Sequence, residues 1–189
     1  AIKSLLSSKE NKIQGFLAAG HVCTIMGEQA YTDIVNEYNV PIVITGFEPI
    51  DILQGLLMCI RQLEDGEAKL ENQYVRSVHH KGNIHARRLI EEIFQVKSNN
   101  WRGIGSIENS GLELKDKYKE FDAENRFNIG TIDPIEPKEC ISGLILQGIK
   151  KPKDCKSFGT KCTPDNPIGA PMVSGEGACA AYYKYKRQA

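Results

Sequence analysis

Long apolar runs are absent from this chain of 189 residues. Stretches such as "IVITGF" and "ILQGLLMCI" are far shorter than the ~18 to 20 residues that a membrane-spanning helix needs. The opening "AIKSLLSSKENK" also lacks the basic-then-apolar layout of a secretory signal. We therefore expect a cytoplasmic protein without membrane association, and we expect this chain to be a fragment of a longer one.

An excess of either charge is also absent, because 24 Lys and Arg balance 24 Asp and Glu. The terminal "YYKYKR" mixes aromatic and basic residues, but a neutral chain without a wider basic patch is not expected to bind nucleic acid. The charges are unevenly distributed. From Pro137 onward there are nine Lys and Arg against four Asp and Glu, so the last segment is positively charged and the rest is negatively charged.

Repeats and low-complexity tracts are absent as well, and 41% hydrophobic with 25% charged residues is typical of a soluble globular protein. What the chain does contain is a pattern of short strands. Residues 13–19 ("IQGFLAA") and 40–46 ("VPIVITG") are apolar runs. A glycine follows the first run and ends the second, as expected for buried parallel strands that lead into turns. Residues 29–39 between them have the spacing of an amphipathic helix. This order predicts a βαβ unit.

Two further helices are predicted downstream. Residues 50–64 follow Pro49, which suits a first helical position, and they place five apolar residues on one helical face: Leu53, Leu56, Leu57, Ile60 and Leu63. Residues 83–96 form a second amphipathic pattern with Asn83 as its cap, and residues 71–78 are compatible with a strand. The predicted fold class is α/β, a parallel sheet with flanking helices.

The composition changes in the second half of the chain. Residues 101–136 are rich in Gly, Asn and Pro with little sustained period, which predicts irregular structure. Two prolines in "DPIEPKEC" discourage helix and indicate a boundary. We predict an α/β domain over residues 1–136, as part of a larger protein, and a small cysteine-rich region, irregular or helical, over residues 137–189.

Cysteine is concentrated in that last region. Four of the six cysteines lie there: Cys140, Cys155, Cys162 and Cys179. Their spacing matches neither paired zinc knuckles nor the ferredoxin run. Four thiolates from loops rich in Gly and Pro can hold tetrahedral zinc or one [4Fe-4S] cluster, whose negative charge the basic segment would offset. Two disulfides or four inert core thiols are the alternatives, although a chain without a secretory signal favours thiols or metal ligands.

Two turns that follow the predicted strands carry a second set of candidates, in "GFLAAGHVCTIMG" and "TGFEPIDILQG". Ligands of open α/β sheets bind outside the carboxyl ends of the strands, so His21 and Glu48 would face the same edge. Histidine can shuttle protons or bind metal, and glutamate can hold the histidine or accept a proton. The simpler alternative is that His21 begins a helix and Glu48 caps one. Cys23 and Cys59 are more simply explained as core residues.

The motifs "GFLAAGHVCTIMG", "PIVITGFEPIDILQG", "WRGIGSIENSGLEL" and "CTPDNPIGAPMVSGEGACAAYYKY" resemble, in this order, the carboxyl-terminal half of the HypD family of [NiFe]-hydrogenase maturation factors. The resemblance covers essentially the whole chain. It implies an iron-sulfur scaffold, rather than a turnover enzyme, that works with HypC and HypE to assemble the Fe(CN)2CO group. It implies a [4Fe-4S] cluster held by the late cysteines and a transient iron, carrying cyanide and carbon monoxide, at the edge formed by His21 and Glu48.

The sequence departs from the family pattern at two positions. Ala19 stands where the family usually has proline, and Ser142 in "CISG" stands where the family usually has the second cysteine of Cys-x-Cys-Gly. Cys140 is then the only candidate for the fourth ligand. Two other functions stay open: a stand-alone iron-sulfur redox enzyme with its substrate at the His21 and Glu48 edge, and a structural zinc protein that docks other proteins.

Overall fold

A computed structural model of the chain describes residues 1–127, 129 and 137–185. It contains two compact units. The sheet unit is Ile13–Phe94, and the cysteine unit combines Ala1–Lys12 with Gln95–Ala189. Residues 95–127 thus belong to the same unit as the late cysteines. The boundary predicted between residues 136 and 137 adjoins residues 130–136, which lie outside the described residues, and it stays a prediction.

The helices and strands follow one another in this order: α1 (Ile2–Leu6), β1 (Phe16–Ala19), α2 (Gly20–Met26), α3 (Thr32–Tyr38), β2 (Ile42–Thr45), α4 (Pro49–Glu64), β3 (Leu70–Asn72), α5 (Ile84–Ile93), β4 (Phe94–Trp101), β5 (Gly105–Leu114), α6 (Ala123–Arg126), α7 (Ser142–Leu146), α8 (Ala170–Val173) and α9 (Ala178–Tyr185). Short 3-10 turns occupy Glu28–Tyr31, Asp116–Phe121 and Pro152–Asp154. In the described part of the chain, no helix is long and apolar enough to cross a membrane.

The sheet unit is built on three parallel strands in the order β1, β2, β3. Phe16 pairs with Ile42, which in turn pairs with Leu70. The central strand β2 is fully buried at Ile42, Val43 and Ile44, because both faces of a parallel sheet are covered by other elements. The predicted α/β class, its parallel sheet and its flanking helices are therefore confirmed. The strand considered within residues 71–78 is confined to its start, since β3 ends at Asn72.

Helix α4 begins and ends close to its predicted bounds, but its orientation differs from that of an ordinary amphipathic helix. The face that packs on β1 and β2 carries small or polar residues: Asp51, Gly55, Cys59 and Gln62. The predicted apolar face is exposed instead. Gly55 is the reason that the helix can lie so close to the sheet, because a Cβ at this position would overlap the Cγ2 atom of the buried Thr45.

The expectation of irregular structure over residues 101–136 is wrong for its first part. Strands β4 and β5 form a two-stranded sheet, and only three residues join them, which a parallel pair does not allow. Gly103 and Gly105 have φ of 82° and 100°, so these glycines form the turn of a hairpin. The hairpin was missed because both strands are largely exposed and therefore lack an alternating apolar pattern.

Helix α5 also ends at Ile93 rather than at residue 96, where the sequence pattern predicted its end.

The cysteine unit has a small core of its own. Cys162, Met172, Cys179 and Ala180 are buried in it, and three partly buried residues pack against them: Ile145, Phe158 and Ile168. Two of the candidate metal ligands are thus also core residues of this unit. The iron-sulfur character predicted for the region stays a prediction.

Candidate functional site

The four late cysteines line one pocket in the cysteine unit. The pocket contains about 280 Å³ of space that no atom fills, including solvent at its mouth. The cysteines come from four separate places: Cys140 just before α7, Cys155 after the 3-10 turn, Cys162 in the following loop and Cys179 in α9. The other side chains around them are mainly apolar: Ile141, Ile145, Phe158, Pro171 and Met172. The fold thus brings together the four cysteines that the sequence singled out.

The thiols in this pocket are free, as are Cys23 and Cys59, so the structure does not support the alternative of two disulfides. Burial, with smaller contributions from the thiols of Cys162, Cys140 and Cys155, raises the pKa of Cys179 to about 11. The four thiols therefore lie close enough to interact electrostatically. At neutral pH Cys179 is protonated, and a metal would have to displace that proton.

Two kinds of metal centre are commonly held by four cysteines. Among the described residues, no group of three or more His, Cys, Asp or Glu side chains is placed to hold a single metal ion. Tetrahedral zinc with Zn–S bonds of about 2.3 Å requires sulfurs about 3.8 Å apart. A [4Fe-4S] cluster is larger and is also held by four cysteines. Four thiols around one apolar pocket are a donor set that either centre could use.

The loop before α8 brings its backbone close to two of the sulfurs. The N–H of Ile168 donates a hydrogen bond to Sγ of Cys162, at 3.4 Å. A Cβ at Gly169 would overlap Sγ of Cys140 in its present rotamer, so the backbone lies close to this sulfur. Hydrogen bonds to cluster-ligating sulfurs are one way in which a protein sets the reduction potential of a cluster. The Ile168 N–H is placed to make such a bond.

Ser142, the position where the family usually has a cysteine, lies at the same pocket. It is buried, with 6% of its surface exposed, and it is the first residue of α7. A Cβ at Gly103 would lie 2.8 Å from its Oγ atom, so the hairpin turn packs against it. Ser142 and Cys140 both line the pocket, and the geometry therefore places either position beside the other three thiols.

The second candidate site is at the carboxyl edge of the parallel sheet, as the sequence predicts. His21 is the second residue of α2, directly after β1, and Glu48 is the N-cap residue of α4, after β2. The His21 ring lies 5.1 Å from the ring of Phe47, centroid to centroid. Within the described residues the ring nitrogens of His21 make no hydrogen bond. The side chain of Glu48 makes no capping hydrogen bond, so the alternative role of a capping carboxylate is not seen.

Glu48 instead belongs to an ionic network that the sequence did not reveal. Arg76 donates from Nη2 to Glu48 at 3.0 Å and from Nη1 to Asp51 at 2.9 Å. Gln73 donates to the same Asp51 oxygen at 2.7 Å. Asp51 is only 5% exposed, and the hydrogen bond from Arg76 holds the pKa of its carboxyl well below the usual range. The sequence did contain one sign of this network, because Asp51 lies on a helix predicted to flank the sheet and a buried carboxylate requires a partner.

The ring of Tyr74 lies close to the two turns at this edge. A Cβ at Gly20 would lie 2.5 Å from Cδ1 of Tyr74, and a Cβ at Gly46 would lie 2.8 Å from Cε2 of the same ring. The guanidinium of Arg76 lies over that ring, 4.4 Å from its centroid. Gly20 and Gly46 are therefore positions where an aromatic ring approaches the backbone.

Asp51→Asn is expected to weaken the acid sensitivity of the protein. The folded pKa of Asp51 is depressed, so the stability that the pair with Arg76 contributes is complete above the unfolded value of about 4 and is lost as the pH falls through the lower folded value. The variant should be less stable than wild type at pH 7, and the difference should shrink at acid pH. The slope of its unfolding free energy against pH should decrease by an amount that corresponds to at most about one bound proton.

Urea unfolding between pH 2 and pH 7 measures this effect. Arg76→Ala removes the same hydrogen bonds from the other side, and it should give the same flattened profile. Profiles in both variants that run parallel to that of the wild type would show that this pair does not determine the acid response.

The fold and these two sites define the class of the protein, which is an α/β protein with a four-thiol pocket in a separate cysteine-rich unit. A family model described as "HypD: Hydrogenase formation hypA family" matches residues 1–186. The chain belongs to the HypD family.

Three relatives show how far the similarity extends. The chain is 45% identical to the hydrogenase maturation factor HypD of Azotobacter vinelandii, over 100% of this chain and 51% of that protein. It is 43% identical to HypD of Cupriavidus necator, over 99% of this chain and 51% of that protein. It is 42% identical to HypD of Escherichia coli, over 99% of this chain and 50% of that protein. The chain spans about half the length of these curated relatives, and it corresponds to their carboxyl-terminal half. The resemblance predicted from the motifs is confirmed.

Proposed function

We propose that this chain acts in hydrogenase maturation and that its cysteine unit holds a [4Fe-4S] cluster through Cys140, Cys155, Cys162 and Cys179. The observation that carries the proposal is that thiols from four separate segments line one pocket. The nine Lys and Arg against four Asp and Glu from Pro137 onward support it, because they would offset the negative charge of a thiolate-ligated cluster. The names of the relatives, which are hydrogenase maturation factors, support the biological role.

The residues of the cysteine unit would divide the work of holding the cluster. The buried Cys162 and Cys179 would hold it within the small core, and the partly exposed Cys140 and Cys155 would bind it on the side toward solvent. The Ile168 N–H would stabilise negative charge on Sγ of Cys162. The bound cluster would supply or accept electrons. Apolar walls limit the access of water to the sulfurs, which protects a cluster from hydrolysis.

The sheet edge would receive the cargo, an iron carrying cyanide and carbon monoxide, which is a substrate here. The exposed imidazole of His21 can donate a hydrogen bond to a cyanide nitrogen or move a proton to or from it. Glu48 keeps 62% of its side chain exposed while it binds Arg76, so it can still accept a hydrogen bond from a ligand. The proposed partners are HypC and HypE, the proposed location is the cytoplasm, and the proposed role is that of an assembly scaffold.

Anaerobic purification followed by analysis of metal, sulfide and visible absorbance tests the cluster. We expect about four iron and four sulfide per chain, as one [4Fe-4S] cluster requires. Zinc without iron or sulfide would replace this proposal with the structural zinc protein. Redox turnover of a small substrate by the purified chain without partner proteins would instead favour the stand-alone enzyme.

Cys140→Ala is expected to lower the iron content strongly, whereas Ser142→Cys should change it little. Both side chains line the pocket, but only Cys140 offers a thiol, and a serine hydroxyl is a poor replacement because it is much harder to deprotonate. Iron-to-protein ratios of the wild type and the two variants, prepared side by side without oxygen, measure the difference. A fully loaded Cys140→Ala protein would end the claim for Cys140. A Ser142→Cys protein that gains iron over an incomplete wild type would place the fourth ligand of the family at position 142.

A further inference from the structure

Helix α4 turns its apolar face outward. Leu53 is 65% exposed, Leu57 is 48% exposed and Ile60 is 41% exposed. Leu56, Leu63 and Ile52 extend the same surface, each at least 40% exposed. We call these six residues the leucine face. Scattered exposed apolar residues are ordinary on a protein surface, but a continuous row along one helix indicates a binding surface.

The leucine face cannot be turned inward by a rotation of the helix. The opposite side of α4 is fixed on the sheet by Gly55, where a Cβ would overlap Thr45, and by the buried Asp51 with its bonds to Arg76 and Gln73. A rotation that buried the leucines would expose this network and would press bulky side chains against β2. The orientation of α4 is therefore determined within the sheet unit, and the leucine face is left for another element to cover.

The sheet next to α4 also has an exposed apolar residue on its outer strand. Strand β1 is an outer strand in the order β1, β2, β3, and Leu17 on it is 40% exposed. A Cβ at Gly55 would lie 3.6 Å from Cδ2 of Leu17, so Leu17 lies against the sheet-facing side of α4. An outer strand and an exposed apolar helix face are both features that a further layer of an α/β domain covers.

We propose that the leucine face is the docking surface for the half of the HypD polypeptide that this chain does not contain. The chain spans 51% of its relative from Azotobacter vinelandii, so a polypeptide of similar length accompanies it in such proteins. That half would bring an apolar helix or strand that packs on Leu53, Leu57 and Ile60. The proposal commits to this occupant, and a second copy of the chain is the rival that the experiment separates from it.

The test compares the effect of one charge in two settings. Leu57→Glu is made in the 189-residue chain and in a chimera in which this chain replaces the carboxyl-terminal half of Azotobacter vinelandii HypD. A glutamate on an exposed face costs little, whereas a glutamate in an apolar interface is strongly unfavourable. We expect an unchanged melting temperature for the chain and a decrease of several degrees for the chimera. Leu89→Glu, on the exposed side of α5, is the matched control and should lower neither.

Each other result counts against the proposal. Equal melting temperatures in the chimera and its Leu57→Glu variant would show that the face stays exposed in the longer protein. A decrease in the 189-residue chain itself would show that the face is already covered within it. A dimer of the chain that Leu57→Glu dissociates would identify a second copy as the occupant.

A second measurement decides the matter if the chimera does not fold. The amino-terminal half of the Azotobacter vinelandii protein is co-expressed with the chain, each half with its own tag. Co-purification that Leu57→Glu weakens at least tenfold, and that Leu89→Glu leaves intact, supports the proposal. Co-purification that resists Leu57→Glu, or none with the unaltered chain, overturns it.

Discussion

Cys162→Ala is expected to abolish the visible charge-transfer absorbance of the proposed iron-sulfur cluster and to destabilise the cysteine unit. Cys162 lines the pocket together with the other three late cysteines, and it is also one of the few buried residues of that unit's core. A metal site contributes its binding free energy to folding, so a small core that loses the cluster loses much of its stability. Cys155→Ala and Cys179→Ala should have the same effect. Anaerobic absorbance spectra and iron content measure the loss of the cluster, and thermal unfolding measures the loss of stability.

Cys23→Ala and Cys59→Ala are the matched controls. Both thiols are buried in the sheet unit, and burial raises the pKa of each, as expected for core residues. These variants should keep their iron, although each loses a little packing. Full cluster occupancy in Cys155→Ala, Cys162→Ala and Cys179→Ala would refute the ligand assignment.

His21→Ala and Glu48→Gln are expected to stop hydrogenase maturation in the full-length protein while iron content and folding stay close to those of the wild type. His21 is exposed on the second residue of α2, so its removal leaves the core intact. Glu48 forms an ion pair with Arg76 that is more than half exposed on both sides, and such pairs contribute little to stability. Hydrogenase activity in cells that carry the variant, together with thermal unfolding of the purified protein, separates function from stability.

His85→Ala and Glu64→Gln are the controls for these two changes, because both residues are exposed on helices of the same unit. They should support normal maturation. Loss of solubility in both His21→Ala and Glu48→Gln would indicate a structural role for these turns, and unimpaired maturation would remove the two residues from the site.

The sequence was sufficient for those parts of the fold that local patterns encode. The apolar runs at 13–19 and 40–46 gave β1 and β2, and the Asn83 cap, which accepts a hydrogen bond from the Ala86 N–H at 3.0 Å, marked the start of α5. The β4–β5 hairpin escaped because its strands are exposed and its glycines resembled those of a loop. The leucine face of α4 was visible as a pattern, but only the packing of Gly55 against Thr45 shows that it points outward.

The candidate sites show the same division. Residue type and strand-end position were enough to place His21 and Glu48 at one edge, and the concentration of late cysteines indicated a shared site. The network of Asp51 and Arg76 could not be derived, because these residues are 25 positions apart and no periodic pattern links them. The position of Ser142 beside the same pocket as Cys140 likewise depends on the path of the chain into α7.

Tyr74 contacts both turns at the sheet edge with one side chain. Its Cδ1 atom faces Gly20 and its Cε2 atom faces Gly46, and these atoms lie on opposite edges of one rigid ring. The guanidinium of Arg76 lies over the same ring. The spacing between the turn that carries His21 and the turn that carries Glu48 therefore depends on one aromatic side chain.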